Sequence, residues 1–489
     1  MLSVQAIYQA PCKHLFFRES IWTRYLGLDA SLLTLALCFG GALSILLLCI
    51  ECTISLERKS RKSPVLLFLR TIFAIPTGIL YLDAAFVQHL SGHRHGESAI
   101  ATIGLYGLFK VWEICIAPLI DGASLPNWVI KPTTAREAVV GNGVAHQIPQ
   151  ECEKDSSTGP QDTKTREKVR LGYGVDLLST LRGVSWLGDR HFDFLTRQVI
   201  SEQSFASSRL QFVRERLRHV LFVCLCYDAC DSITKSQRWM KAESLVQALP
   251  DGTTVIMSPQ APLYAQQITS RPLYQQAVFV LITAITTQLS LETFYTLLAL
   301  LCVGVLNVSP KAFPHFFGNP ISLQTDSVRS FWGARWHHIF RRVYDRAVDP
   351  WLYVMGISKR STVGIVFKVT AVFTISGLVH CVIQARTLVY HFPPEITPPL
   401  LDQNTLWFFM SQPVALFFEH LVVRLLTRRL PSPLAYLTKR IWTWGWLFWS
   451  ARWWTETWVK MGMWQPEEQV VFFSPIRGLW KGEWIVEVR

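Results

Sequence analysis

Residues 363–383 read Val363-Gly364-Ile365-Val366-Phe367-Lys368-Val369-Thr370-Ala371-Val372-Phe373-Thr374-Ile375-Ser376-Gly377-Leu378-Val379-His380-Cys381-Val382-Ile383. The stretch meets the length of about 20 mostly apolar residues that crosses a bilayer. It nevertheless carries Lys368, Thr370, Thr374, Ser376 and His380. A histidine at hydrocarbon depth is costly unless it meets a partner, water or a ligand. Ser376, Gly377, His380 and Gln384 recur at helical spacing and share one face, which must turn toward protein or a water-filled cavity rather than lipid. Two readings of His380 stand open at this point. It is a working imidazole, or it is a packing residue bonded to a carbonyl of a neighbouring helix.

The rest of the chain agrees with a membrane setting. Of its 489 residues, 50% are hydrophobic and only 17% charged, and the mean hydropathy is +0.24. This is more apolar and less charged than an ordinary soluble domain. The expected fold is all-α, a polytopic integral membrane protein with about eight transmembrane helices, by the length a bilayer demands. They are predicted near Leu32–Ile50, Val65–Val87, Ala99–Ile120, Leu217–Ser232, Ala277–Val308, Val363–Ile383, Thr405–Leu426 and Ile441–Val459. The Ala277–Val308 run is long for one helix and short for two, with Gln288 and Glu292 near its middle, and so is expected to be broken or tilted. Leu217–Ser232 is short and contains Asp228, which leaves an interfacial helix as the other reading. The first apolar run is over-long for a signal-peptide core and is followed by Arg58-Lys59-Ser60-Arg61-Lys62. It reads as a retained anchor, with the Glu51–Pro64 loop in the cytosol by the positive-inside tendency.

A net charge of +13 raises nucleic acid as a partner. The basic residues are scattered over loops and helix ends, however, with no pattern that reads bases, and better suit anionic headgroups and an anionic co-substrate. Eleven cysteines give no disulfide framework, because most sit in apolar runs where a free thiol packs as a small hydrophobe. Cys49-Ile50-Glu51-Cys52 has no second pair, and the His93-Arg94-His95 loop is equally thin, so no metal site is expected. Residues 121–216 form a long polar region, with Thr133 to Glu167 having the composition of a surface insertion. There is no internal repeat of the kind that builds inverted-repeat transporters. The chain reads as one membrane domain, 1–489.

The stretch Phe313-Pro314-His315-Phe316-Phe317-Gly318-Asn319-Pro320 is followed by Ser327-Val328-Arg329-Ser330-Phe331-Trp332-Gly333-Ala334-Arg335-Trp336-His337. This second stretch resembles the Phe-Trp-Gly-x-Arg-Trp-His signature of the wax-synthase-like branch of the membrane-bound O-acyltransferase superfamily. Arg182-Gly183-Val184-Ser185-Trp186 resembles a second element of that branch. Ser376-Gly377-Leu378-Val379-His380 resembles the site of the superfamily's catalytic histidine, and Trp407-Phe408-Phe409 through Gln412 and Glu419 is a looser fourth match. The resemblance covers roughly residues 175–430. Ala334 stands where the family often has Arg, and His337 is doubled by His338.

The resemblance implies acyl transfer from an acyl-CoA to a hydrophobic alcohol at an endoplasmic reticulum membrane, without a tightly bound cofactor. His380 is then the expected general base, since a neutral imidazole suits removal of a proton from an attacking hydroxyl. His337, at the family's second position, orients a substrate or donates to the developing oxyanion. Arg329, Arg335, Arg341 and Arg342 flank the signature and offer bidentate donors to the CoA phosphates, or are plain membrane-surface arginines. Trp332 and Trp336 wall a tunnel or pack between helices. Proteins of this pattern resemble fungal enzymes that acetylate terpenoids and meroterpenoids with acetyl-CoA, and also enzymes that join long acyl chains to fatty alcohols or sterols. A different class is also open: a transporter in which Lys368, His380 and Glu419 line a polar path.

Overall fold

A computed structural model describes residues 20–27, 31–59, 63–88, 94–130, 170–186, 190–194, 208–236, 246–248, 254–256, 268–270, 272–317, 325–336, 338–389, 400–460 and 473–485. The long helices, in order, are α1 Leu32–Lys59, α2 Pro64–Phe86, α3 Arg94–Val111, α4 Arg170–Ser179, α5 Arg209–Ser236, α6 Leu273–Ala299, α7 Arg341–Val354, α8 Thr362–Val389, α9 Gln403–Phe418 and α10 Ser432–Lys460. π turns extend three of them: Trp112–Ile116 after α3, Leu300–Val305 after α6 and Glu419–Val423 after α9. The only described strands are two short antiparallel pairs.

Among the described residues six helices are long and apolar enough to cross a membrane: Leu32–Ile54, Pro64–Phe86, Gly96–Asp121, Leu273–Val305, Thr362–Thr387 and Gln403–Thr427. This corrects the expected eight. The two remaining candidates do form as helices, within α5 and α10. α5, however, carries Arg214, Glu215, Arg216, Arg218, Asp228 and Asp231, and α10 carries Lys439, Arg440, Arg452 and Glu456. That charge load takes both below the apolarity of a span. The suspect Ala277–Val308 run is one helix ending in a π turn. At 33 residues it is about 50 Å long, well beyond a hydrocarbon core of about 30 Å. Exposed Phe68, Ile72, Ile75 and Ile79 on α2 present an apolar face to lipid.

Side-chain bonds fix the neighbours and their directions. Lys368 of α8 meets Asp349 of α7 at 3.1 Å, and Ser376 receives a bond from Tyr344, so α7 and α8 run antiparallel. Thr405 to Gln384 at 2.6 Å and Thr374 to the Met410 sulfur at 3.1 Å set α9 antiparallel to α8. Gln412 to Ser450 at 3.1 Å and Asn404 to Glu456 at 3.2 Å do the same for α9 and α10. At the far end of α8, fully buried Arg386 pairs with fully buried Glu97 at 3.1 Å and donates to the carbonyls of Ala84, Ala85 and Gln88. One guanidinium thus satisfies the C-terminal carbonyls of α2 while tying α8 to α2 and α3, as the orphan carbonyls of a helix end require.

α4 lies within the polar 121–216 region, yet it packs into the core. Leu177 is fully buried, and a Cβ on Gly174 would stand 3.0 Å from Leu47 of α1. The Thr133–Glu167 insertion lies outside the described residues.

Candidate active site

The signature begins on a capped turn. Ser327 accepts from the amide of Ser330 at 3.0 Å, and the Glu419 carboxylate accepts from the amide of Val328 at 2.6 Å. From there Phe331–Trp336 is wound as a π turn. Bonds from i to i+5 widen the helix, a device concentrated at functional sites. The winding brings Phe331 over Trp336, their rings stacked at 5.8 Å and 15°. Trp336 also stacks on Phe317 at 4.9 Å.

Trp332 takes a different direction from Trp336, although residues four apart share one face of an α-helix. It is buried, edge-on to Phe373 at 5.6 Å and to Phe408 at 6.0 Å. Its indole N–H donates to Gln412 Oε1 at 3.0 Å, while Gln412 Nε2 donates to the Phe408 carbonyl and to Ser450. The wall is therefore rigid and polar-satisfied.

Beside it lies a cavity of about 290 Å³. It is lined by Trp332 and Gly333 of the signature, by Tyr344 and Asp345 of α7, and by α8 from Ile365 through Phe373 to Ser376. Arg329, Arg341 and Lys368 also line it. Arg329 and Arg341 are exposed. Lys368 is held between Asp345 at 3.0 Å and Asp349 at 3.1 Å. Burial pushes the Asp349 carboxyl upward, but the Lys359 hydrogen bond and the Lys368 charge outweigh it and hold it below the usual carboxylate range. Its lining thus combines the cationic side chains of Arg329, Arg341 and Lys368 with the hydroxyls of Tyr344 and Ser376.

His380 lies one turn past Ser376 on α8, about 6 Å along the axis. Its ring stacks on Phe409 at 4.8 Å and 16° and meets the edge of Trp454 at 4.9 Å. Gly377 makes that approach possible, since even a Cβ there would sit 3.1 Å from the Phe409 Cβ. Pro413 has no amide to offer the Phe409 carbonyl one turn earlier, which loosens the helix beside the imidazole. His380 is half-buried in an aromatic box next to the cavity, without being part of its lining.

The other expected residues separate. Arg335 and Trp336 do not line the cavity. Arg342 binds Glu113 at 2.6 Å and covers the Phe194 ring, a structural role. His337 lies outside the described residues, and His338 opens a 3-10 turn, His338–Phe340. Arg182 is buried. It donates to the carbonyls of Pro314 and His315 and to the Tyr295 hydroxyl, while Trp186 packs edge-on against Phe313 at 5.3 Å. Arg216 adds a bond to the Phe313 carbonyl at 2.9 Å. Two arginines so clamp the approach to the signature. Of Lys368, His380 and Glu419, only Lys368 lines the cavity. Among the described residues no three His, Cys, Asp or Glu side chains group to hold a metal.

Sequence reasoning passed over Tyr344 and Asp345. Their signal was the i, i+3, i+4 spacing from Arg341, immediately after the signature.

Residues 313–410, which hold the π-wound signature, the cavity and His380, match the membrane bound O-acyl transferase family. The part of the chain that builds most of this site is therefore similar to that family. Three relatives align more widely. The acetyltransferase sirH of Emericella nidulans is 25% identical over 48% of this chain and 49% of its own length. The O-Mevalon transferase yanI of Aspergillus niger is 26% identical over 63% of this chain and 67% of its own. The acetyltransferase eriL of Hericium erinaceus is 27% identical over 35% of this chain and 42% of its own. The chain thus spans about half the length of two of these relatives and two thirds of the third. No solved structure matches.

Proposed function

We propose that this chain is an acyl-CoA-dependent O-acyltransferase of the wax-synthase-like branch, acting in the endoplasmic reticulum membrane, and that it moves an acetyl group from acetyl-CoA to a hydroxyl of a terpenoid or meroterpenoid. The observation that carries the reading is the cavity lined by Arg329, Arg341 and Ser376, with His380 one helical turn beyond Ser376 on α8. Such a cavity suits a donor with an anionic head and a reactive thioester tip. At about 290 Å³ it sits at the small end of ligand pockets, roughly 300–1,000 Å³, which favours a short acyl group over a long chain. Two of the three relatives are named acetyltransferases. The third is named for a mevalon group, so the identity of the acyl group is the point an assay must decide, with long-chain wax or sterol ester formation as the other reading.

In the reaction, His380 takes the proton of the acceptor hydroxyl as its oxygen attacks the thioester carbon. His337 is the proposed second site residue, orienting a substrate. Trp332 shapes the cavity wall, Arg329 and Arg341 hold the donor's phosphates, and Arg335 and Trp336 support the signature from behind. The acceptor arrives through the hydrocarbon phase, as a hydrophobic alcohol would.

The test incubates membranes containing the wild-type chain with labelled acetyl-CoA or long acyl-CoA and a panel of hydroxylated terpenoids, fatty alcohols and sterols. Labelled acetyl ester on a terpenoid is expected. A long-chain ester alone would move the reading to wax or sterol acyl transfer. No ester from folded protein would favour transport instead.

A further inference from the structure

The attack on a thioester turns its carbonyl oxygen into an oxyanion, and that charge needs a donor already in position. The cavity's donors narrow quickly. Arg329 and Arg341 are exposed, and Lys368 is paired with Asp345 and Asp349. The Trp332 N–H is taken by Gln412 at 3.0 Å. Tyr344 is different. It is buried, it lines the cavity, and among the described residues its hydroxyl makes only a long 3.4 Å bond, donated to Ser376, the residue one turn before His380. A bond of that length is weak and easily exchanged for a shorter one to a ligand oxygen. The ring is fixed from behind by Phe109, edge-on at 5.8 Å, and by Phe340 at 6.4 Å.

We propose that Tyr344 is a catalytic residue whose hydroxyl lets go of Ser376 and donates to the thioester carbonyl oxygen as that oxygen gains charge. The inference rests on the acyl-transfer reading above. The step balances as follows. The acceptor O–H gives its proton to His380, its oxygen bonds to the thioester carbon, and the carbonyl π pair moves onto the oxygen held by Tyr344. When that pair returns, the C–S bond breaks, and the CoA thiolate takes the proton from the imidazolium, leaving ester, free thiol and neutral His380. Tyr344 keeps its proton throughout. Burial, only partly offset by the Ser376 bond, pushes its phenol above the usual range, which keeps it a neutral donor at working pH.

Tyr344→Phe removes the hydroxyl and leaves the ring packing intact. With labelled acetyl-CoA and the hydroxylated panel, the variant is expected to lose roughly 100-fold in kcat, the effect of one oxyanion donor. KM for acetyl-CoA should stay within about twofold, because the contact forms only in the transition state. The unfolding midpoint should not move. An unchanged kcat in an active background would overturn the role of Tyr344 alone. So would a raised KM at unchanged kcat, or a loss that vanishes once rates are normalised to folded protein. A wild-type chain that forms no ester with any donor would overturn both this role and the acyl-transfer reading.

Discussion

The Trp332 indole N–H and the Gln412 side-chain carbonyl meet at 3.0 Å, eighty positions apart in sequence, and both side chains are buried. That bond joins the signature to α9, the helix against which His380 stacks. It makes the cavity wall and the aromatic box parts of one unit.

Gln412→Leu should therefore affect both. The indole N–H would lose its acceptor and Ser450 its amide partner, a cost of about 1–3 kcal/mol for an unsatisfied buried donor. The expected outcome is a lower unfolding midpoint in detergent together with reduced turnover. Trp332→Phe in the same background should recover part of the stability, since it removes the stranded donor. A double-mutant cycle with no coupling would show that the bond does not matter.

The cationic residues that line the cavity make a separable prediction. Arg329→Gln and Arg341→Gln should each raise KM for acyl-CoA several-fold with little change in kcat, and the wild-type KM should rise with salt as exposed charges are screened. Arg342→Gln should behave otherwise. It breaks the 2.6 Å pair with buried Glu113 and should lower stability before it alters donor affinity.

Arg386 and Glu97 form the clamp at the opposite end of α8, with both side chains fully buried. Removing one partner leaves an uncompensated buried charge, at a cost of about 3–5 kcal/mol. Arg386→Met should abolish folded protein at the wild-type expression temperature, with Glu97→Gln milder because its amide can still accept from the guanidinium. Fluorescence size-exclusion profiles would check this.

Acid should loosen the join between α7 and α8. The Asp349 carboxyl is held below its ordinary value in the folded chain. Its contribution is therefore fully present above the unfolded carboxylate range and is lost as pH falls through the folded value. Stability measured from neutral to acidic pH should decline in that window, and Asp349→Asn should flatten that part of the curve. An unchanged acid limb would mean that the Lys359 and Lys368 contacts carry no net weight.

Much of this was legible before any coordinates. The period and length of the apolar runs reveal all six spans, and the helical spacing of Ser376, Gly377 and His380 correctly puts them on one protein-facing side. Apolarity alone, however, does not separate a span from a long charged helix that packs on the bundle, and α5 and α10 were over-read for that reason. Trp332 and Trp336 could not be resolved from spacing, because a π turn replaces the α-helical register that the spacing assumed. Only the fold reveals that the Arg182 donors are spent on the Tyr295 hydroxyl and on the carbonyls of the segment before the signature. Tyr344 was silent, since one tyrosine in an amphipathic helix is normally a packing residue.

The most direct test of the central claim compares ester formation by the wild-type chain and by His380→Ala, with both shown to be folded, using labelled acetyl-CoA and the hydroxylated panel. The account predicts labelled ester from the wild type and a loss of at least about 100-fold in the variant, the lower range for a removed general base. Ester formation undiminished in well-folded His380→Ala would contradict it.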